Sequence, residues 1–401
     1  MTKVRVLIDA RVGVGLGGGV ETLVRGLAKG YAEKASEKFE IIFLVNPGSS
    51  KLISEQDPDG KLQIFESNIN LRKHLIVKKT RSFLRLIKYF FKIPISNRFT
   101  MQRDEVSEKF NPSIIHYTYQ ATFYTDIPYV YHPHDLQHKY FPSNFSILAR
   151  VFRDANYSLM CKQASAIAVS SNWVKDDLIN FYNLPADKIA VIPLAPLIDV
   201  STESKSISVQ KKEIVKGSEP TFLFYPAVNW PHKNHTNLFR AVKICQEAGV
   251  NVRVVCSGRI LNRFPDPNET AESLGISSNV VTLGHVGQEL LFLLYEYARA
   301  VIIPTMFEAA SFPIYEAQSK KKAVACSFVT SLPEQVGDSA VLFDPDDTAQ
   351  IAQVIRELWL NDNLILELET LSQKNIANMS WKYTSEKFYS LYTTVLSNRS
   401  V

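Results

Sequence analysis

The stretch VRVLIDARVGVGLGGGVETLVRGLAKGYAEK, residues 4–34, carries three signals in order. VRVLID (Val4–Asp9) is rich in aliphatic and β-branched residues, the texture of a parallel strand buried on both faces. A glycine-rich loop follows. From about Val20 to Lys34 the apolar residues recur at helical spacing. Strand, loop and helix in that order open a βαβ unit, and the alternation continues. EIIFLV (Glu40–Val45), SIIHYT (Ser113–Thr118), PYVYHPHD (Pro128–Asp135), AIAVS (Ala166–Ser170) and KIAVIPLA (Lys188–Ala195) read as further strands. AIAVS runs into Ser171-Asn172, a helix cap before WVKDDLINFY. Residues 196–219 are polar, lack periodicity and read as a linker. A second series then begins at TFLFYPA (Thr221–Ala227). It continues through NVRVVCSG (Asn251–Gly258), NVVTLGHV (Asn279–Val286), AVIIPT (Ala300–Thr305), AVACS (Ala323–Ser327) and AVLFDP (Ala340–Pro345). The tail from about Thr348 to Val395 is helical only. Alternating strands and helices imply parallel sheets covered on both faces. Two such series predict an α/β chain of two doubly wound domains. Ligands of such sheets lie beyond the carboxyl ends of the strands, and a cleft between the domains is the expected active site.

The chain has 401 residues, 46% hydrophobic and 21% charged, which suits two or three globular domains and excludes a disordered or fibrous chain. Cys161, Cys245, Cys256 and Cys326 show no CxxC spacing, so neither a zinc ribbon nor a disulfide framework is indicated, as suits a reducing cytoplasm. No run reaches the ~20 apolar residues of a membrane-spanning helix. MTKVRVLID has no signal-peptide pattern, so a cytoplasmic protein is expected. The formal net charge is +5, unevenly spread: Leu71–Arg103 holds ten Lys or Arg and no Asp or Glu, leaving the rest of the chain at −5. One basic stretch on an acidic globule is not the pattern of a nucleic-acid binder.

Four segments could carry chemistry. In GVGLGGG (Gly13–Gly19), Gly13, Gly15 and Gly18 fit G-x-G-x-x-G, whose backbone amides and helix dipole hold phosphate. Against a dinucleotide site, three residues separate the strand from Gly13, and the second strand ends in Leu44-Val45-Asn46 without an acid for a ribose. YHPHDLQH places His132, His134 and His138 at the end of a strand. Only Asp135 adjoins them, so a proton carrier or substrate contact is expected rather than a metal. NWPHKNH (Asn229–His235) sets Lys233 just before a helix, where its charge suits a diphosphate; a solvated surface lysine is the bland alternative. FEAASFPIYEA (Phe307–Ala317) reads as a strand-to-helix turn, with Ser311 a plausible cap and Pro313 in the first turn. Glu308 falls in the turn and Glu316 near the start of the helix, with small residues between that let backbone amides approach a ligand.

Taken in chain order, these segments resemble glycosyltransferase family four, the retaining two-domain enzymes of GT-B fold. Their signature is a pair of glutamates separated by seven residues, here Glu308 and Glu316. The glycine loop, His134-Asp135, the Lys233 segment and a last helix opening SWKYTSEKFYSLY (Ser380–Tyr392) fall in the family's order, over nearly the whole chain. The resemblance implies two Rossmann-like domains facing each other across a cleft. Residues 1–195 would form the acceptor side, 196–219 the linker and 220–379 the nucleotide-sugar domain. Residues 380–401 would form a helix packed back on the first domain. Gly18 and Gly19 would approach the donor diphosphate, and His134 would contact the donor sugar. Lys233 would neutralise the diphosphate. Glu308 would hold the sugar with the amides of Ala310, Ser311 and Phe312, and Glu316 would bind the ribose. His134, Lys233 and Glu308 would then be the catalytic set. The family's arginine five residues before the lysine is here Val228, with Arg259 a candidate replacement. The implied reaction moves a sugar from GDP-mannose or a UDP-hexose to a glycan or lipid-linked acceptor, as in bacterial polysaccharide or lipopolysaccharide assembly. It needs no metal or other cofactor. Two rivals stay open: a nicotinamide-dependent oxidoreductase, opposed by the missing acid near Val45, and a non-catalytic partner of the same fold, kept open by Val228.

The middle of the basic stretch, SFLRLIKYFFKIPI (Ser82–Ile95), is amphipathic as a helix. Phe83, Leu84, Ile87, Phe90 and Phe91 share one face, and Arg85, Lys88 and Lys92 lie largely off it. Two readings stand side by side. The face lies in an anionic membrane interface, at the inner surface of the cell membrane, with the three cations as membrane or acceptor contacts. Alternatively, it packs on the domain core and the cations are solvated.

Overall fold

The structure is a computed structural model and describes residues 3–12, 18–67, 75–93, 101, 103, 105–120, 123–197 and 222–398. Gly13 and Gly15 of the glycine loop and all but the first two residues of the expected linker 196–219 lie outside them. The chain divides into two compact units, Met1–Ala195 with Met379–Val401, and Pro196–Asn378.

In the first unit the strands are β1 (Val4–Asp9), β2 (Phe39–Val45), β3 (Gln63–Glu66), β4 (Ile114–Tyr117), β5 (Tyr129–Tyr131), β6 (Ala166–Val169) and β7 (Ile189–Val191). They pair in parallel in the order β3-β2-β1-β4-β5-β6-β7. Val6, Leu7 and Ile8 of the central strand are fully buried, as their continuous apolar run requires. β3 has no counterpart among the strands read from the sequence. It is a mostly exposed edge strand, QIFE, and so lacks the apolar run that marked the others. PYVYHPHD yields a shorter strand than expected. Pro133 has no N–H for the ladder, and His134 takes a left-handed backbone (φ 68°).

In the second unit β8 (Leu223–Pro226), β9 (Val254–Ser257), β10 (Val280–Thr282), β11 (Ala300–Ile303), β12 (Ala323–Ser327) and β13 (Val341–Phe343) pair in parallel as β10-β9-β8-β11-β12-β13. Phe224, Val255, Val301, Ile302 and Val324 fill its core with the helices on either face. Each sheet reverses its winding once, at β1/β4 and at β8/β11. Those are the points where doubly wound folds open a crevice for ligands.

The helix Trp381–Ser397 packs against the helix Gly19–Glu33 of the first unit. It is capped by Ser380, whose Oγ accepts from the Tyr383 amide at 3.1 Å. Ser171 caps the helix Asn172–Tyr182 in the same way through Val174, as its position before WVKDDLINFY suggests. Two glycines inside the first helix make the close approach of the C-terminal helix geometrically possible. A Cβ on Gly26 would lie 2.0 Å from the Trp381 indole, and one on Gly30 would lie 2.1 Å from the Trp381 carbonyl oxygen. Trp381 fits into this notch, and Phe388 and Tyr392 further along the same helix are buried as well. Ser385 Oγ donates to Gly30 O (3.1 Å), and the Tyr392 hydroxyl meets that of Tyr31 (2.7 Å). Among the described residues no helix is long and apolar enough to cross a membrane.

Alanine normally gains ~1 kcal/mol over glycine inside a helix. At position 30 the methyl would collide with backbone rather than with a side chain able to turn away. Gly30→Ala is therefore expected to destabilise the chain by a net ~1–3 kcal/mol in urea unfolding. Equal or greater stability would show that the two helices do not depend on this notch.

Candidate functional site

In the second unit, β8 leads into a tight turn, Pro231–Lys233, then Asn234 in the left-handed region (φ 62°) and the helix His235–Glu247. The turn holds the Lys233 backbone still: its carbonyl accepts from the Tyr225 hydroxyl, and its amide donates to Trp230 O at 2.8 Å. Its ammonium forms an ion pair with Glu308 Oε1. The two side chains are 20% and 15% exposed, so Lys233 is not the solvated surface lysine of the bland alternative. Glu308 follows β11 and is fixed through its main chain. Its carbonyl accepts from Thr330 Oγ1 (2.6 Å) and Ser331 Oγ (2.8 Å), both in the loop after β12. The Glu308 loop is also joined to the Pro231–Lys233 turn by Thr305 Oγ1 and the Met306 amide, which donate to His232 O at 3.0 and 2.7 Å.

The helix Phe312–Ser319 begins just beyond Glu308. Ser311 occupies its cap position, but its side chain does not cap, contrary to expectation. The Gln335 amide clamps the Ser311 backbone instead, accepting from Ser311 N–H (2.8 Å) and donating to Ser311 O (2.7 Å). The Ser311 amide, expected to hold a sugar, is thus already engaged, while its Oγ is buried without a hydrogen-bond partner. A buried hydroxyl left without a partner is costly. Glu316, one turn on, accepts from the Tyr295 hydroxyl at 2.7 Å. Burial raises its carboxyl above the usual range, and the Tyr295 bond opposes that.

In the first unit His134 stands beyond β5. Its Nε2 lies 2.7 Å from Thr118 O, and a carbonyl only accepts, so Nε2 carries the proton. Burial lowers its pKa, which keeps the ring neutral at pH 7 and leaves Nδ1 an acceptor. The ring stacks on His132 (centroids 4.4 Å, 17°), which runs parallel to His116 at 6.4 Å. Burial pushes His116 down to about 3 and also lowers His132 well below the ordinary imidazole value. His116 Nδ1 is 2.8 Å from the Tyr392 hydroxyl, so the C-terminal helix buttresses this row of rings. Asp135 does not bond to His134: it accepts from the Gln137 amide (3.0 Å) and faces Arg153 (3.6 Å). His138 turns away to Asp154, 3.5 Å distant.

Gly18 caps the first helix at φ 46° and Gly19 opens it. Arg11, which the sequence showed only as a spacer, grips Asp9 at the end of β1 through two bonds of 2.8 and 2.7 Å. Near Val228 the backbone crowds Gly258 (φ 142°), whose Cβ would lie 2.7 Å from Val228 N. Arg259, the candidate replacement for the family arginine, therefore leaves the chain one residue from that contact. Tyr295, Thr330 and Gln335 hold the site from elements far along the chain and left no local signal in the sequence.

Residues 17–195 match the family described as Glycosyltransferase Family 4, and residues 206–375 match that described as Glycosyl transferases group 1. The chain belongs to glycosyltransferase family 4. This family-4 chain is 29% identical over 203 residues to O-antigen chain mannosyltransferase B of Escherichia coli, covering 50% of this chain and 53% of that protein. It is 27% identical over 225 residues to the O-antigen chain mannosyltransferase RfbU of Salmonella typhimurium, covering 56% of this chain and 59% of that protein. The chain thus spans about half the length of the curated relatives it matches. Among solved structures, Anabaena Alr3699/HepE in complex with UDP and glucose has a TM-score of 0.68 at 17% identity, over 98% of this chain and 100% of that one. That likeness is one of fold, and the fold is GT-B.

Tyr295→Phe removes the bond that favours the charged form of Glu316 and leaves burial unopposed. The Glu316 carboxyl is then expected to titrate at higher pH than in the wild type, read by infrared difference spectra or by carbon NMR of labelled glutamate. A downward shift, or none, would mean the Tyr295 bond does not govern Glu316.

Proposed function

We propose that the chain is a retaining glycosyltransferase that moves a hexose from a nucleotide-diphosphate sugar to a glycan or lipid-linked acceptor in bacterial surface polysaccharide assembly. The observation that carries this reading is the Lys233–Glu308 pair beyond the carboxyl edge of the second sheet, beside a helix N-terminus with an orphan buried hydroxyl. A diphosphate would take Lys233 as counter-ion, and Glu308, released from it, would accept hydroxyls of the donor sugar. Glu316, with one oxygen held by Tyr295, offers the other to a ribose diol. His134 Nδ1 would accept a further sugar hydroxyl. Gly18 and Gly19 present backbone rather than side chain to the phosphates. Arg259 supplies a second cation in place of Val228.

In the reaction the bond from the anomeric carbon to the phosphate oxygen breaks, and its electron pair leaves with the diphosphate. The acceptor oxygen attacks from the face the diphosphate departs, and the acceptor's proton passes to a departing phosphate oxygen. Lys233 and the helix amides stabilise charge where it develops, which is the task a metal performs elsewhere. We therefore assign the reaction no metal. The relatives named as mannosyltransferases favour GDP-mannose as donor; the Anabaena protein's UDP keeps a UDP-hexose as the second reading. The acceptor would be met at the inner face of the cell membrane.

Lys233→Ala is expected to weaken binding of the nucleoside diphosphate by ~10- to 100-fold in calorimetry, since a hydrogen bond to a charged group contributes ~1.5–3 kcal/mol. Transfer from GDP-mannose should persist in EDTA. Unchanged affinity in the variant would remove Lys233 from the site, and activity lost to EDTA and restored by Mn²⁺ would overturn the metal-free chemistry. A wild-type chain that binds no nucleotide would support the non-catalytic partner instead.

A further inference from the structure

Over Phe83–Phe91, the helix Leu75–Phe91 is turned opposite to an ordinary surface helix. Its polar edge faces the protein: Arg85 donates to Asn156 Oδ1 at 3.0 Å, and the Tyr89 hydroxyl bonds to Asp154, both on the helix Ile147–Gln163. Its phenylalanines face outward. Phe83 is 63% exposed, Phe90 58% and Phe91 72%, and Ile93 just beyond is exposed too. At 100° per residue, Phe83, Ile87 and Phe90 fall within 60° of arc, with Arg85 and Tyr89 on the far side. The bonds 85–156 and 89–154 run the two helices antiparallel. The Phe90–Ile93 end therefore points the same way as the start of Ile147–Gln163, where Ile147 and Leu148 are also exposed. The alternative that the apolar face packs on the domain core is thus not what the structure shows. Nor is Arg85 a surface contact.

We propose that this face docks on an anionic lipid bilayer, with Phe83, Phe90 and Phe91 entering the interface. The charge pattern selects the occupant. The helix lies in the Leu71–Arg103 stretch, which carries ten basic residues and no acidic one on a chain otherwise at −5. An apolar row flanked by Lys88 and the exposed Lys92 matches a surface that is apolar below and negative above. An acidic protein partner or a second copy of this chain would not need three adjacent exposed phenyl rings beside one-sign charge: a second copy would bring like charge to the contact. The inference stands apart from the donor chemistry, and its test uses no nucleotide.

The experiment is co-sedimentation of the full chain with vesicles of phosphatidylglycerol or of phosphatidylcholine, at low and high salt. The wild type is expected to sediment with phosphatidylglycerol at low salt, to be released at high salt, and to ignore phosphatidylcholine. Replacing the three rings together (Phe83→Ser, Phe90→Ser, Phe91→Ser) should lower the bound fraction at least about tenfold, with the circular dichroism spectrum and GDP binding unchanged. Lys88→Glu with Lys92→Glu should abolish the preference for phosphatidylglycerol. A wild type that stays in the supernatant would overturn the proposal. So would a triple-serine variant that sediments like the wild type. A dimer in solution that the triple-serine variant dissociates would assign the face to a second copy instead.

Discussion

A parallel sheet ends all its strands on the same edge, and each of this chain's two sheets carries candidate chemistry at its own such edge. His134 follows β5, Lys233 follows β8, Glu308 follows β11, and the Gly18–Gly19 cap follows β1. The winding reverses beside β1 and beside β8, so the connecting helices diverge at those points and leave the strand ends open. The candidate side chains are therefore set by backbone that cannot shift without disturbing a sheet. The Tyr225–Lys233 and Thr330–Glu308 bonds, made to main-chain carbonyls, are the visible form of that constraint.

The electrostatics of the two units differ in kind. In the second, opposite charges are brought together, Lys233 with Glu308, and each retains some access to solvent. In the first, charge is removed: three imidazoles lie in a row, and burial holds them neutral. A cation there would lose its hydration, so the row works as a fixed set of donors and acceptors. The Thr118 carbonyl fixes the tautomer at its outer end, and the Tyr392 hydroxyl meets its inner end.

Most of the fold was legible because buried parallel strands announce themselves as continuous apolar runs. β3 was not, since an exposed edge strand has no second face to bury. Lys233, Glu308 and Glu316 stood out as candidates because a lysine precedes a helix and two glutamates bracket a turn of small residues after a strand. What escaped was whatever depends on pairing across the chain. Gln335 engages Ser311 from 24 residues away, and Tyr295 supports Glu316 from 21. The outward turn of Phe83, Phe90 and Phe91 escaped for another reason. Periodicity defines an apolar face but not the direction in which it points, and the Arg85–Asn156 and Tyr89–Asp154 bonds settled that.

The seating of Trp381 against Gly26 and Gly30 has a consequence for how the chain is made. Most of the first unit, Met1–Ala195, is translated before the second, yet its notch is filled by Trp381, which follows the second unit in the chain. The second unit, Pro196–Asn378, has its whole sequence in hand earlier and can settle while the ribosome is still at work. Until the helix Trp381–Ser397 has emerged, the growing chain therefore carries an open groove over Tyr31 and its neighbours.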